Sequence, residues 1–575
     1  MFRKVSRLAR FCCRFLSFAI VLWTFSASAG QGDSRPTQYP TALSPILEYI
    51  HSSWDSLTRS MNDCNTIVDP KLREASILYV PAQFAPPGSV KEAQKRCHVQ
   101  VRELPVVITG PGQISSTISP PGLLYLKNNY VVPGGRFNEM YGWDSYFIVR
   151  GLLEDNRIEL ARGMVENFFF EIEHYGTVLN ANRTYFLTRS QPPFLTSMIM
   201  AVYAAEKAIG REDRAFLEKA YQFASKDYEM WNREPHLAGD TGLSRYYDFG
   251  NGPAPESLKD ETAVYRKVAS YFLLQGDARK YIVEMSRRTP DQAVAGEQYS
   301  MHLCDLAKTA KPDCEPPRNI SLTADYYKGD RAMRESGFDI SFRFGPYGAA
   351  THHYAPVCLN SLLYKTEKDL EEMSEILGRP ADAKRWGDRA QNRKDRIQKY
   401  LWDGERGMYF DYNLDTNTRS TYEYITTFYP LWVGIAAAEQ AEAVRKNLNV
   451  FEHPGGLAMS KHDNGVQWDY PNGWAPTQLL AIQGLRRYGF QEDANRISYQ
   501  FLSTIAENFR RDGTIREKYN VITRSSESHV ETGYHQNVVG FGWTNGTFVA
   551  LLHSLPQQWT ARLAKEQSAP PRSAQ

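Results

Sequence analysis

Cysteine is scarce in this chain, with seven in 575 residues, and no spacing among them matches a zinc site. Excess charge of one sign is also missing. The 67 basic and 65 acidic residues leave a formal net charge of +2, and no block of like charge stands out. A nucleic-acid partner is therefore not expected, because binding a phosphate backbone calls for a basic field. After the first thirty residues no apolar run is long enough to span a bilayer. No exact internal repeat is present either.

The one long apolar stretch lies at the start and has the features of a targeting signal. Arg3, Lys4, Arg7, Arg10 and Arg14 form a basic region, Phe15 to Phe25 an apolar core, and Ala27-Ser28-Ala29 a small-residue cleavage site. The pattern predicts a signal peptide over 1–29 and a mature chain from Gly30; the alternative is an uncleaved anchor. No lipid-attachment cysteine stands at the cleavage point. Loss of the five basic residues turns the formal charge from +2 to −3. Export implies a periplasmic or secreted location and an oxidising compartment, where disulfides form. Sequence proximity suggests Cys64–Cys97 and Cys304–Cys314 with Cys358 free, although spacing alone does not fix connectivity. The aromatic content, 13%, suits carbohydrate binding and a large core equally well.

The remainder is a succession of helix patterns. Leu43, Ile46, Leu47, Ile50, Trp54 and Leu57 recur every three or four residues, marking one helix face. An amphipathic run from Phe194 to Ile209 stops at Gly210 and restarts after Arg211-Glu212-Asp213. Others stop at Gly378 and Gly489 and restart after Arg379-Pro380 and Gln491-Glu492-Asp493. Glycine just past a helix and acids at the start of the next are stop and start signals. Such short links make neighbouring helices antiparallel. The fold class is therefore all-α, and the pattern alone allows either a closed ring of helix pairs or an open solenoid. Residues 248–255 read as a Gly/Pro-rich loop, 308–317 as a polar surface insertion, and 566–575 as a disordered tail.

Two stretches between the helices carry sugar-binding chemistry. Residues 133–147 read PGGRFNEMYGWDSYF, and residues 467–476 read QWDYPNGWAP. Tryptophan takes the C–H face of a pyranose, while Arg and Asp meet its hydroxyls through charge-assisted hydrogen bonds. Both stretches resemble the two signatures of the trehalase family, inverting hydrolases of α,α-trehalose, here of the periplasmic type. The resemblance runs from about Pro133 to Trp543.

The resemblance implies an (α/α)6 toroid of antiparallel helix pairs, a single catalytic domain over 30–565, and a site built by loops at one end of the ring. It places a general acid at Asp339, in Arg334-Glu335-Ser336-Gly337-Phe338-Asp339, and a general base at Glu517, in Arg516-Glu517-Lys518-Tyr519-Asn520. Inversion needs two such carboxyls facing each other across the scissile bond, about 6.5–9.5 Å apart. Read without the resemblance, Asp339 would be a helix cap and Glu517 half of a salt bridge to Lys518 or Arg516. The implied substrate contacts are Arg136, Trp143, Asp144, Asn180, Arg189, Ser190, Gln191, Glu256 and Gly337. Trp543 reads equally as a pocket wall or as helix packing.

Three positions depart from the family pattern. Ala254 stands where the family has an arginine before Pro-Glu-Ser, Val539 where it has an acid, and Asn520 where Asp is usual. Arg245 and Arg334 are candidates to replace the missing arginine. The leading expectation is a monomeric, exported trehalase that takes a disaccharide and requires no metal or organic cofactor for its reaction. Alternatives are the same mechanism on another α-glucoside, a sugar-binding protein on a retired hydrolase fold, and a helical scaffold for protein partners.

Overall fold

The computed structural model describes residues 39–568, apart from 70–75, 115–117, 257–261, 276–279, 286–295, 303–315, 529 and 532–536. The expected signal segment 1–29, the Cys304–Cys314 pair and most of the 308–317 insertion lie outside the described residues. The Cys64–Cys97 disulfide is present, and Cys358 is a buried free thiol.

Helix α1, Ser44–Leu57, buries Ile46, Ile50, Trp54 and Leu57, the stripe visible in its sequence. The chain then lays down helical pairs. Helix α2, Asp144–Glu154, is followed by α3, Ile158–His174; α4, Leu195–Ala208, by α5, Arg214–Trp231. Helix α6, Ala324–Glu335, precedes the pair α7, Val357–Ile376, and α8, Pro380–Tyr400. Next come α9, Tyr429–Val433, and α10, Ala438–Lys446, then α11, Ala475–Arg487, and α12, Gln491–Asp512. Helices α13, Gly542–His553, and α14, Gln557–Ser568, end the described chain. The last of these reaches three residues into the segment expected to be disordered.

The first members of the pairs form a closed ring. Helix α2 packs on α4, α4 on α7, α7 on α9, α9 on α11, α11 on α13, and α13 back on α2. The fold is the (α/α)6 toroid. Inner and outer helices differ as their surroundings demand. Every residue of α13 from Gly542 to Leu552 is buried, so the helix has no solvent-facing stripe. Outer helix α8 buries Ala383, Trp386, Ala390, Arg393 and Ile397, a single stripe at intervals of three and four. Ring closure at α2 and α13 depends on two glycines: a Cβ on Gly546 would lie 2.0 Å from the Phe147 carbonyl oxygen, and one on Gly151 would lie 2.5 Å from Gly546 Cα. Gly210, Gly378 and Gly489 end their helices at positive φ, as their positions suggested. After the first of these, Asp213 caps α5 by accepting the Phe216 N–H.

Short strands decorate the ring. Ile77–Val80 lies between Gln100–Glu103 and Leu123–Leu124, and Arg318–Leu322 lies between Ile282–Glu284 and Tyr299–Met301. One ladder joins two of the motifs: Asn472–Trp474 pairs antiparallel with Lys518–Asn520, setting Trp474 opposite Lys518. Among the described residues no helix is long and apolar enough to cross a membrane.

Candidate active site

The segments that lead into the inner helices meet around one cavity of about 130 Å³. Trp143 and Asp144 come from the start of α2, and Asn180, Arg189 and Gln191 from the loop before α4. Arg334, Gly337 and Asp339 come from the end of α6 and the turn beyond it. Trp468 and Trp474 precede α11; Phe541 and Trp543 sit at the start of α13; Glu256 and Glu517 complete the wall. The site therefore lies at the end of the ring where the inner helices begin, on loops held by a rigid scaffold.

Four indoles line it. Trp468 and Trp474 are stacked, with centroids 3.8 Å apart and planes 5° from parallel. Trp143 lies 5.8 Å from both Trp468 and Trp543. Gly337, at φ +75°, passes so close to Trp143 that a Cβ would sit 2.9 Å from the ring; only glycine fits there. Gln191 fixes the same tryptophan by accepting its backbone N–H at 2.9 Å. Trp543 both lines the cavity and donates its indole N–H to the Glu517 carbonyl at 3.2 Å. Of the two readings open from the sequence, pocket wall and helix packing, the structure has the pocket wall.

Four carboxyls line the cavity, three of them, Asp339, Glu517 and Asp144, apart from the Glu256 cluster. Asp339 does not begin a helix; it lies in a turn beyond α6. The second signature holds that turn: Gln467 donates its side-chain amide to the Asp339 carbonyl, Trp468 its N–H to the Ile340 carbonyl at 3.2 Å, and the Asp469 carboxylate accepts the Phe342 N–H at 3.0 Å. Glu517 is buried and paired with the equally buried Lys518 ammonium at 3.0 Å, so the salt-bridge reading also holds. Asp144 is the third. Burial first, then the charges of Glu517 and Asp339, hold its carboxyl well above the usual carboxylate range.

A charged cluster forms another wall. Arg189 pairs with Glu256, and its Nη1 lies 3.7 Å from Asp248. Burial would raise the Glu256 carboxyl, but the charges of Arg189 and Arg334 outweigh it and hold it below its ordinary value. Arg189 Nε and Nη1 and Glu256 Oε2 are buried and make no hydrogen bond among the described residues. Arg334 reaches the cavity wall and stands 3.9 Å from Glu256. Arg245 instead binds the Pro235 and His352 carbonyls, so Arg334 is the candidate that supplies a cation near Ala254.

Two expected contacts and two departures lie elsewhere. Arg136 is exposed, its guanidinium 4.6 Å from the ring of Phe137, which is the residue that reaches the cavity. Ser190 is buried outside the lining, with its hydroxyl donating to the Val178 carbonyl and its N–H to Glu335. Val539 is 48% exposed and does not line the cavity, so this departure leaves the pocket's charge unchanged. Asn520 closes a turn by accepting the N–H groups of Ile522 and Thr523.

Comparison with known proteins decides the family. The trehalase family model matches residues 35–556. The chain belongs to the trehalase family. A probable trehalase of Eremothecium gossypii is 37% identical over 561 residues, 87% of this chain and 71% of that protein. A cytosolic neutral trehalase of Emericella nidulans is 37% identical over 594 residues, 91% of this chain and 74% of that one. Among solved structures, the neutral trehalase Nth1 from Saccharomyces cerevisiae superposes with a TM-score of 0.72 at 33% identity, covering 92% of this chain and 97% of that one. These trehalase relatives correct the expected location. Proteins that match most of this chain are named cytosolic neutral trehalases, so neither the periplasmic subtype nor the periplasmic or secreted location stands.

Proposed function

We propose that this trehalase-family hydrolase splits α,α-trehalose into two glucoses by single displacement with inversion. Asp339 is the general acid and Glu517 the general base. The observation that carries the reading is that these two carboxyls, far apart in sequence, line one cavity walled by tryptophans. Asp339 gives its proton to the bridging oxygen as the anomeric C–O bond breaks. Glu517 takes a proton from a water molecule whose oxygen forms the new bond on the opposite face. The attacked glucose leaves as the β anomer and its partner keeps the α configuration.

Trp143, Asp144, Asn180, Arg189, Gln191, Glu256 and Gly337 form the sugar-binding wall, joined by Arg334. Arg189 and Glu256, which pair with each other in the cavity wall, suit hydroxyls, since a neutral polyol competes with water only through preorganised polar partners. Arg136 and Ser190 support the wall from behind, Arg136 beside Phe137 and Ser190 through Glu335. A second reading, another α-glucoside as substrate, rests on Ala254.

The test is kcat and KM for the purified chain on a panel of α-linked glucose disaccharides. Trehalose is the expected best substrate, and Asp339→Asn or Glu517→Gln each lower kcat by at least ~10²-fold, the lower range for a positioned acid or base. Near-normal kcat in either variant would sink the assignment.

A further inference from the structure

Away from the cavity, three side chains converge on one point. Asp325 lies in the first turn of α6, and His352 and His353 form the turn that follows it in space. His352 Nε2 is 3.0 Å and His353 Nε2 3.2 Å from the same oxygen, Asp325 Oδ1. The ligating atoms of all three lie within 4.8 Å of one another. We propose that Asp325, His352 and His353 form a binding site for a divalent ion of the zinc class, with water as the fourth ligand.

The distances suit such an ion. Zinc holds imidazole nitrogen and carboxylate oxygen at about 2.0–2.2 Å, so tetrahedral ligand atoms stand about 3.3 Å apart. The two His–Asp separations differ from that edge by a few tenths of an ångström. The far side of His353 supplies an independent observation. Its Nδ1 lies 2.9 Å from Asp415 Oδ1. A carboxylate on the second ring nitrogen holds the proton there and turns the Nε2 lone pair toward the ion, the usual outer support of a metal-binding histidine.

Donor type and access narrow the ligand. Two imidazoles and one carboxylate favour zinc, cobalt, nickel or copper over calcium or magnesium, which prefer all-oxygen sites. His352 is 7% exposed, His353 26% and Asp325 48%, so the imidazoles are held firmly while the carboxylate reaches solvent. The charges of Asp325 and Asp415 match a dication; the cations that face the site are Arg245, which donates to the His352 carbonyl, and Lys280, whose charge acts on His353.

Three segments would be clipped together: the start of α6, the 351–353 turn, and the hairpin of Tyr412–Asn413 with Thr418–Arg419, whose link carries Asp415. The other end of α6 leads to Arg334 and Asp339. Ten residues of helix separate Asp325 from that end, roughly 15 Å at 1.5 Å per residue. The ion is therefore structural, and hydrolysis does not require it.

The test uses tag-free full-length protein, stripped with a chelator and titrated with Co²⁺ and with Zn²⁺. The expected result is one ion per chain, visible absorption of four-coordinate Co²⁺, and a Tm that rises with Zn²⁺. Asp325→Asn and His353→Gln should abolish stoichiometric binding. Asp415→Asn, an exposed and conservative change, should weaken it about ten- to a hundredfold while leaving trehalose turnover within twofold. No stoichiometric binding in the parent, or equal affinity in parent, His353→Gln and Asp415→Asn, would overturn the proposal. Should His353→Gln fail to fold, Asp415→Asn decides alone.

Discussion

Arg334 Nη1 stands 3.9 Å from a Glu256 oxygen that Arg189 also engages. Two cations thus flank one carboxylate in the wall of the cavity, although the family's arginine is missing at Ala254. The gap at Ala254 lies close by in the same network: its N–H donates to the Tyr265 hydroxyl at 3.0 Å, that hydroxyl donates to Asp330 at 2.7 Å, and Arg334 Nε donates to Asp330 at 3.2 Å.

If Arg334 has taken over sugar recognition, Arg334→Ala should lower kcat/KM on trehalose by roughly tenfold to a hundredfold. That is the effect of losing a hydrogen bond from a charged group worth about 1.5–3 kcal/mol. Steady-state kinetics with a parallel thermal melt separates this from unfolding. A stable Arg334→Ala variant with parental kcat/KM would mean that Arg334 does not touch the substrate.

Restoring the family residue should not help. Ala254 is fully buried, and Ala254→Arg would force a third guanidinium toward Arg189 and Arg334. Overpacking alone costs about 1–3 kcal/mol. Both Tm and kcat/KM on trehalose should fall. A gain in kcat/KM would show instead that the pocket lacks a cation there.

Asp469 ties the segment after Asp339 to the second signature and makes stability depend on pH. Burial pushes its carboxyl up to about 6, against the donors Phe342 N–H, Asn464, Tyr422 and Ser341. A carboxyl raised on folding holds its proton more tightly in the native state. The stability it contributes is present below about pH 4 and is lost as pH rises through about 6. Relative to Asp469→Asn, the parent should lose up to about 3 kcal/mol between pH 4 and 7, since one unit is worth about 1.4 kcal/mol. Urea unfolding of both proteins across that range measures it. A difference that stays flat with pH would contradict the argument.

Ring closure makes a prediction remote from the chemistry. In Gly546→Ala the new methyl meets the Phe147 carbonyl oxygen, so α2 and α13 must move apart. A loss of about 1–3 kcal/mol or more is expected, visible as a lowered Tm. Since both helices begin at the cavity, Trp143 and Trp543 should shift with them. A variant as stable as the parent would mean that the crossing is looser than it looks.

Much of this was legible in the chain itself. Gly210, Gly378 and Gly489 marked helix ends because a residue at positive φ leaves a local signature. The two signatures pointed to one cavity wall because their aromatic and charged residues are dense over ten to fifteen positions. What was not legible depends on closure of the ring. The choice of Arg334 over Arg245, the exposure of Val539 and Arg136, and the meeting of Asp325 with His352 are set by contacts between distant segments. The strand pairs were also hidden, since two or three residues such as Asn472–Trp474 carry no readable period.

The most direct test of the central claim is the anomeric form of the nascent products. Proton NMR in the first moments of trehalose hydrolysis, before mutarotation, should detect α- and β-glucose in equal amounts if Asp339 and Glu517 act in a single displacement. Two α-glucoses would mean retention through a covalent intermediate and would contradict the account.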